Sequence, residues 1–390
     1  MINIIHKSDC CGCAACVQIC PKQCIQFNED SQGFYYPNVN LLECVNCGLC
    51  EKVCPIINQN DSRPSDKVYA AKNICDDVRK NSSSGGVFTL MAEYILKDGG
   101  VVFGAVFDEK LGVKHTYTES IDKLTPFQGS KYVQSVIGYS YIKAKQFLEE
   151  GRKVLFTGTP CQIAGLKKFL RKEYSNLLSV DVVCHGVPSP LIWRSYLEYI
   201  RNKKQVYDIT NVSFRSKSTG WRQYSVSIYG RTSSSDKQER LFVQESVDKN
   251  IYMQFFLNDL SIRPSCFQCP SKCGKSYSDI TLGDFWGIEN IHPIIDDDKG
   301  VSLVMLNTVR GVDVFNKLDV LKLESTYEQA IKYNPSIEHS AVENIYTKIF
   351  WSKFISGGVD ASKVVLNHFK ISLIHRVIRR IKKIINGINE

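Results

Sequence analysis

The sequence predicts an α+β / α/β chain: a small cysteine-rich unit, a mixed α/β domain with a β-rich portion, and a C-terminal helical tail. Three observations predict it. Cysteines crowd the first 57 residues in a run that is written twice. Strand and helix patterns alternate over residues 101–183, as in a parallel sheet covered by helices. Beyond Val206 the pattern changes to short alternating segments near Val212, 224–229 and 241–245, which read as hairpins. At 390 residues, 43% apolar and 23% charged, the chain has room for two or three domains of ordinary globular composition.

The first element is the doubled run. It reads Cys10-x2-Cys13-x2-Cys16-x3-Cys20-Pro21, then Cys44-x2-Cys47-x2-Cys50-x3-Cys54-Pro55. Bacterial ferredoxins hold two [4Fe–4S] clusters with this spacing, and the fourth cysteine of each run ligates the other cluster. Cys10, Cys13, Cys16 and Cys54 are therefore assigned to one cluster, and Cys44, Cys47, Cys50 and Cys20 to the other. Zinc sites use Cys pairs with a longer spacer, and disulfides belong to secreted chains. Cys11 and Cys24 fall outside the pattern. Residues 1–57 thus form a ferredoxin-like domain whose core is small, so cluster binding supplies folding energy.

Residues 58–67, polar and containing Pro64, read as a linker. The main domain is placed at 68–335. Asn81-Ser82-Ser83-Ser84-Gly85-Gly86 precedes a helix over 87–96 that stops at Asp98-Gly99-Gly100, followed by a strand over 101–107. A turn of this kind is either a plain N-cap or a phosphate cradle. A helix over 139–150 leads to a strand over 153–156 and the turn Thr157-Gly158-Thr159-Pro160-Cys161-Gln162, with Pro160 at the first helical position. The next helix is expected to reach Tyr174, and a strand over 177–183 ends at Cys184-His185-Gly186. Both turns lie at strand carboxyl ends, where α/β sheets bind ligands. Cys161 reads as an ordinary turn residue, a nucleophile activated by the helix dipole, or a metal ligand. Lone histidines such as His185 and His292 read first as packing or hydrogen-bonding residues.

Cys266-x2-Cys269-x3-Cys273 places three cysteines in eight residues. With one distant cysteine they would hold a third [4Fe–4S] cluster, zinc being the alternative. Cys184 and Cys161 are the two candidates for the fourth ligand, with Cys184 preferred because the Cys161 turn has another plausible task.

Charge adds a further expectation. The net charge is +9, and the segment from Lys363 onward supplies +6 of it, whereas the first 60 residues carry three cations against five acids. A nucleic-acid binder would be basic throughout a face, so that class is excluded. Leu366, Phe369, Leu373, Val377, Ile381 and Ile385 recur at helical spacing within the basic tail. The region 336–390 is read as helical and ending in an amphipathic helix, which either touches a membrane surface or docks on its own domain. Residues 1–10 lack the apolar core of a signal peptide, and no apolar run reaches the ~18 residues of a spanning helix, so the cytoplasm is expected.

Taken together, the motifs resemble those of the coenzyme F-420 hydrogenase/dehydrogenase beta-subunit family fused to a two-cluster ferredoxin domain. The resemblance rests on residues 81–86, Gly129-Ser130-Lys131-Tyr132, Gly158-Thr159-Pro160-Cys161-Gln162 and residues 181–186. Phe214-Arg215-x-Lys217-x-x-Gly220-Trp221, Cys266-x2-Cys269, 279–287 and 300–304 complete it. It implies an FAD on the α/β domain beside an iron–sulfur cluster, with electrons arriving from a ferredoxin or another redox subunit and leaving to an unidentified small-molecule or carrier substrate. It also implies that Ser83, Ser84, Gly85 and Gly86, with Asn81 and Ser82, hold the pyrophosphate. Thr157, Gly158 and Thr159 would lie near the flavin, together with Ser130 and Tyr132. Lys131 would stabilise negative charge on the reduced ring, and Arg215 and Lys217 would hold an anionic group. Bacterial relatives of this layout point to surface-polysaccharide synthesis. The competing reading is a non-catalytic electron relay or an iron–sulfur sensor without flavin.

Overall fold

The computed structural model describes residues 1–369. Residues 370–390, most of the expected basic helix, lie outside the described residues. The N-terminal unit consists of the short helix α1 (Ala15–Ile19), the hairpin strands β1 (Ile25–Glu29) and β2 (Tyr35–Val39), and the short helix α2 (Leu49–Lys52). Each helix follows a cysteine loop and starts from a left-handed residue, Ala14 (φ 63°) or Gly48 (φ 72°). The hairpin pairs Ile25 with Val39 and is antiparallel.

The main domain follows. In chain order it contains β3 (Lys67–Asn73), α3 (Asp76–Asn81), α4 (Val87–Lys97), β4 (Val101–Phe107) and β5 (Val113–Thr118). Next come α5 (Ser140–Glu149), β6 (Val154–Gly158), α6 (Pro160–Leu170), β7 (Leu177–Val182) and α7 (Pro190–Lys204). Strands β8 (Asp208–Ser216), β9 (Ser225–Arg231) and β10 (Arg240–Ser246) and helix α8 (Ile251–Leu257) precede β11 (Ile280–Asp284), β12 (Ser302–Leu306) and β13 (Val320–Ser325). Among the described residues, eight strands form one sheet in the order β13-β3-β12-β11-β7-β6-β4-β5. β11, β7, β6 and β4 are mutually parallel, as the alternating pattern predicts. The flanks are antiparallel, which the pattern did not predict. At one flank the reason is local. Asp108 Oδ1 accepts from the Lys110 and Gly112 amides, closing a tight turn between β4 and β5, and a turn that short permits only antiparallel pairing. The hairpin region is a separate three-stranded antiparallel sheet, β10-β9-β8.

The central strands are apolar on both faces because helices cover both. Val101, Val102, Phe103, Val154, Leu155 and Phe156 are all fully buried, and the Phe103 and Phe156 rings stack at 5.3 Å. α4 ends where glycine permits a left-handed turn, at Gly99 (φ 71°), whose amide donates to the Leu96 carbonyl. α6 carries Pro160 in its first turn and a reciprocal capping box between Thr159 and Gln162. It stops at Leu170, short of Tyr174, because Arg171 turns left-handed (φ 59°) and Tyr174 is buried in the core instead.

The ferredoxin-like unit is docked on the sheet domain by specific polar bonds. Gln18 Oε1 accepts from the Tyr141 and Ile142 amides at 3.0 and 3.2 Å, at the start of α5. Residues 58–66, read as a free linker, are pinned. The Asn60 amide donates to the Lys275 carbonyl, the Arg63 amide to Cys273, and the Ser65 hydroxyl to Leu306. Lys67 already belongs to β3.

Gly165 in α6 lets the two units pack closely. A Cβ there would lie 2.8 Å from Cys13 Cβ and 2.9 Å from its Sγ. Gly165→Val is therefore expected to cost about 1–3 kcal/mol by overpacking and to lift the N-terminal unit off α6. Limited proteolysis that shows new cleavage within 58–66 would record this. An unchanged digestion pattern and melting temperature would show that the approach is not needed.

Candidate cofactor cavity and cysteine clusters

Two small cavities in the N-terminal unit gather the doubled run. One is lined by Cys10, Cys13, Cys16 and Cys54 inside an apolar shell of Ile2, Ile4, Phe27 and Ile56. The other is lined by Cys20, Cys44, Cys47 and Cys50, with Cys24 beside Cys20 at 3.5 Å between sulfurs. The first faces the sheet domain through Cys13. The second lies at the outer end, where Cys47 is exposed among exposed Leu41, Leu42 and Val45. None of the sixteen cysteines forms a disulfide. Among the described residues, no three Cys, His, Asp or Glu side chains converge as ligands of one ion would.

A third set forms where β6, β7 and the loop after α8 meet. Cys161, Cys184 and Cys269 each lie close enough to Cys266 to raise its thiol pKa, and Cys161 does the same to Cys184 and Cys269. A Cβ on Gly186 would stand 3.5 Å from Cys266 Cβ, so that glycine lets the Cys184 loop close on the Cys266 turn. Lys272 Nζ donates to the carbonyls of Cys184 and Ser336, tying the same loops. Burial pushes the Cys184 thiol up to about 12 and the Cys266 thiol well above the usual range. These half-buried thiols resist ionising on their own, and a cationic centre bound among them would supply the charge that lets them ionise.

Cys273 does not join them. The sequence grouped it with Cys266 and Cys269, but at Cys273 the chain turns left-handed (φ 54°). Its amide donates to the Ile337 carbonyl, its carbonyl accepts from Arg63, and its thiol points to the Glu338 carbonyl at 3.6 Å. Cys161 and Cys184, weighed against each other as fourth ligand, are both present. The surroundings of Cys161 do not lower its thiol pKa as nucleophile activation requires. Cys11 beside it and burial push its thiol well above the usual range.

Against this set opens a cavity of about 570 Å³, within the range of cofactor sites. Ser82, Ser83, Ser84 and Gly86 line one end, Lys131 and Tyr132 a side, and Thr157, Gly158 and Thr159 another. Cys184, His185 and Gly186 line the end nearest the cysteines, and Arg215, Asp284 and Trp286 also face it. Gly86 is the N-cap of α4 in a left-handed turn (φ 80°), and no side chain caps that helix. Its first-turn amides therefore remain available to an anion.

A buried polar chain fixes the Thr157–Thr159 wall. His115 Nε2 donates to the Thr157 carbonyl at 3.0 Å, which leaves Nδ1 to accept from the Ser135 hydroxyl. Gln162 Nε2 donates to that hydroxyl at 2.9 Å, and Gln162 Oε1 accepts from the Thr159 amide. Burial holds His115 neutral, with its pKa lowered to about 4. Burial likewise pushes the Lys131 ammonium down to about 7, where it donates to the Gln128 and Gly129 carbonyls.

Several expected binding residues stand elsewhere. Gly85 faces the sheet, and a Cβ there would lie 2.4 Å from the Ala71 carbonyl oxygen. It is thus a packing glycine rather than part of the cavity wall. Asn81 is exposed and donates to Asp77. The Ser130 amide donates to the Ser83 hydroxyl, bracing the turn from behind. Lys217 Nζ donates at 2.7 Å to the carbonyls of Arg79, Ser84 and Lys299, so it clamps the serine turn and has no donor left for a ligand. Arg215 lines the cavity, but Asp284 neutralises it at 2.7 Å. The sequence reading missed His115, Ser135, Gln134 and Arg263. Nothing local marks them, because their partners come from distant segments. His185, assigned only a bonding role, donates from Nε2 to Asp259 Oδ1 at 2.6 Å beside the cavity.

Residues 151–328 match the family model described as the C terminus of the coenzyme F-420 hydrogenase/dehydrogenase beta subunit, and residues 9–56 match that of a 4Fe-4S dicluster domain. The chain is 21% identical over 374 residues to a coenzyme F-420-dependent sulfite reductase of Methanocaldococcus jannaschii, covering 91% of this chain but 54% of that protein. A ferredoxin 7Fe of Hydrogenibacillus schlegelii is 43% identical over 63 residues, which is 15% of this chain and 74% of the ferredoxin. Among solved structures, a chain of the F-420-reducing [NiFe] hydrogenase complex from Methanosarcina barkeri aligns with a TM-score of 0.46 and 14% identity, over 77% of this chain and 96% of that one. Among the described residues, no helix is long and apolar enough to cross a membrane.

Proposed function

We propose that this chain is an FAD-dependent iron–sulfur oxidoreductase. Electrons from a ferredoxin or another redox subunit enter at the exposed Cys44-side cluster and pass to the Cys10-side cluster. Cys161, Cys184, Cys266 and Cys269 would hold a third cluster beside the cavity, where FAD would pass the electrons to a small-molecule or carrier substrate. One observation carries this reading: the 570 Å³ cavity shares Cys184 with the four-cysteine set and opens on the uncapped start of α4.

FAD, when bound, exchanges electrons between one-electron carriers and a two-electron acceptor. The protein's own residues bind and orient. The α4 amides and the Ser82–Ser84 turn suit a pyrophosphate. Thr157 to Thr159, held rigid by His115 and Gln162, supply a fixed polar wall. Lys131 is the cavity's adjustable charge. Cys13, Cys11 and Cys161 lie in succession between the inner N-terminal site and the third set, since the Cys11 thiol meets both of the others. Surface-polysaccharide precursors are the first substrates to test, because the resemblance points to that setting.

Anaerobic purification with iron, sulfide and flavin analysis tests the reading. Protein with full iron that neither holds nor accepts FAD would leave the relay or sensor reading in its place. Lys131 adds a pH signature. Its pKa of about 7 in the free cavity rises when an anion binds, so binding takes up a proton. FAD affinity is therefore expected to be highest below about pH 7 and to fall as pH rises above it, and Lys131→Gln should flatten that dependence. Identical pH profiles for the two proteins would remove Lys131 from the site.

A further inference from the structure

Among the described residues, no carboxylate pairs with Arg263. Its side chain is fully buried, and its donors go to neutral oxygens. Nε donates to the Cys10 carbonyl at 2.7 Å, one terminal nitrogen to Gln134 Oε1 at 3.0 Å, and the other to the Tyr35 carbonyl at 2.9 Å. The guanidinium lies over the Tyr36 ring at 4.3 Å. A Cβ on Gly12 would touch it at 3.0 Å, so that glycine admits it to the cysteine loop. The Cys266 amide donates to the Arg263 carbonyl, so the same residue starts the turn that presents Cys266. The groups of opposite potential charge that act on it are the Cys10, Cys11 and Cys266 thiols and Tyr36. A buried guanidinium without a counter-charge is costly enough that proteins pair it.

We propose that Arg263 is the fixed counter-charge of the inner iron–sulfur centres and holds their reduction potentials above that of the outer, Cys44-side centre. This rests on the cluster reading above. Reduction adds one electron to a centre, taken from a one-electron reductant of the ferredoxin or dithionite class. No bond forms or breaks, and Arg263 keeps its proton throughout. The added negative charge is stabilised by the nearby guanidinium, whose field is little screened in the interior. At the outer centre water screens every charge. An electron entering at the exposed end therefore moves inward.

The test is an EPR-monitored redox titration of the anaerobically purified full-length protein, with iron and sulfide measured on each variant. Cys47→Ser and Cys13→Ser assign the outer and inner signals. Arg263→Gln is expected to lower an inner midpoint by at least about 59 mV, a tenfold change in the reduced-to-oxidised ratio, and to leave the outer midpoint in place. Arg263→Lys should restore most of the loss. Gln134→Glu, which sets a carboxylate on an intact Arg263, should lower the inner midpoint in the same direction, and it decides the matter if Arg263→Gln loses iron. Full iron with an unmoved inner midpoint overturns the proposal, as does an equal shift at both centres or a Lys variant as low as the Gln variant. Loss of iron in both Arg263→Gln and Gln134→Glu would assign Arg263 a structural role and overturn it too. Wild-type protein without iron would instead sink the cluster reading itself.

Discussion

Serine replacement of Cys161, Cys184, Cys266 or Cys269, one at a time, is expected to remove about four irons from the full-length protein, the content of one cubane. Cys273→Ser is expected to keep them. The contrast follows from neighbours. Cys161, Cys184 and Cys269 act on the ionisation of Cys266, and Cys161 on that of Cys184 and Cys269, whereas the groups acting on Cys273 are Glu338, Lys275 and Lys272. A serine hydroxyl has the shape of the thiol but not its affinity for iron, so the loss reports ligation more than packing. Iron and sulfide analysis with the visible spectrum is the measurement. If Cys273→Ser loses as much iron as Cys266→Ser, or Cys161→Ser loses none, the four-cysteine assignment fails. Loss of the third centre should also leave the two N-terminal signals in place, because their cysteines line separate cavities.

How much of this was legible in the sequence depended on how local each signal was. The doubled run needs no fold to be read, since its spacing states which loops wrap which cluster. Thr159, Pro160 and Gln162 announce a helix start by their own chemistry, and the structure has the helix there. The parallel centre of the sheet was visible in the alternation, but the antiparallel flanks were not. β3 pairs with β12 and β13, more than 200 residues away in the chain, and no local pattern encodes that register. The cavity shows the same division. The serine turn and the Thr157–Thr159 turn stood out because glycine, proline and hydroxyl residues cluster at strand ends. Lys217 was misread as a ligand-holding cation because sequence shows a charge and not its partners. Three carbonyls from three segments already take its protons. Cys273 was misread for the opposite reason. Its spacing copies the ferredoxin run, while a left-handed turn at that residue sends the thiol elsewhere. Arg263 is the extreme case, an arginine in an unremarkable loop whose three partners lie 129 to 253 residues away.

Asp284→Ala is expected to destabilise the protein by about 3–5 kcal/mol, the usual cost of leaving a buried charge without its partner. Arg215 and Asp284 form a two-point pair with 3% and 15% of their side chains exposed. The guanidinium donates to Asp284 Oδ2 at 2.7 Å and to Oδ1 at 3.3 Å, and Trp221 Nε1 donates to Oδ1 at 3.0 Å. Trp221 then stacks on Trp286 at 5.0 Å, at the cavity wall. The terminal nitrogens of Arg215 also donate to the Tyr132 hydroxyl and the Ser83 carbonyl, each bordering the cavity. Removing the carboxylate therefore strands one cation and one indole N–H and loosens the serine turn together with Tyr132. A double replacement separates stability from function. Arg215→Met with Asp284→Leu removes both charges, and apolar substitutes for a buried pair recover stability. That variant is expected to melt well above Asp284→Ala yet still bind FAD poorly, because Ser83 and Tyr132 have lost their brace. Thermal melts and FAD titration of the three proteins check this. A double variant no more stable than Asp284→Ala would show that the cost lies in packing and not in charge. Full FAD binding by the double variant would show that Arg215 does not hold the cavity wall.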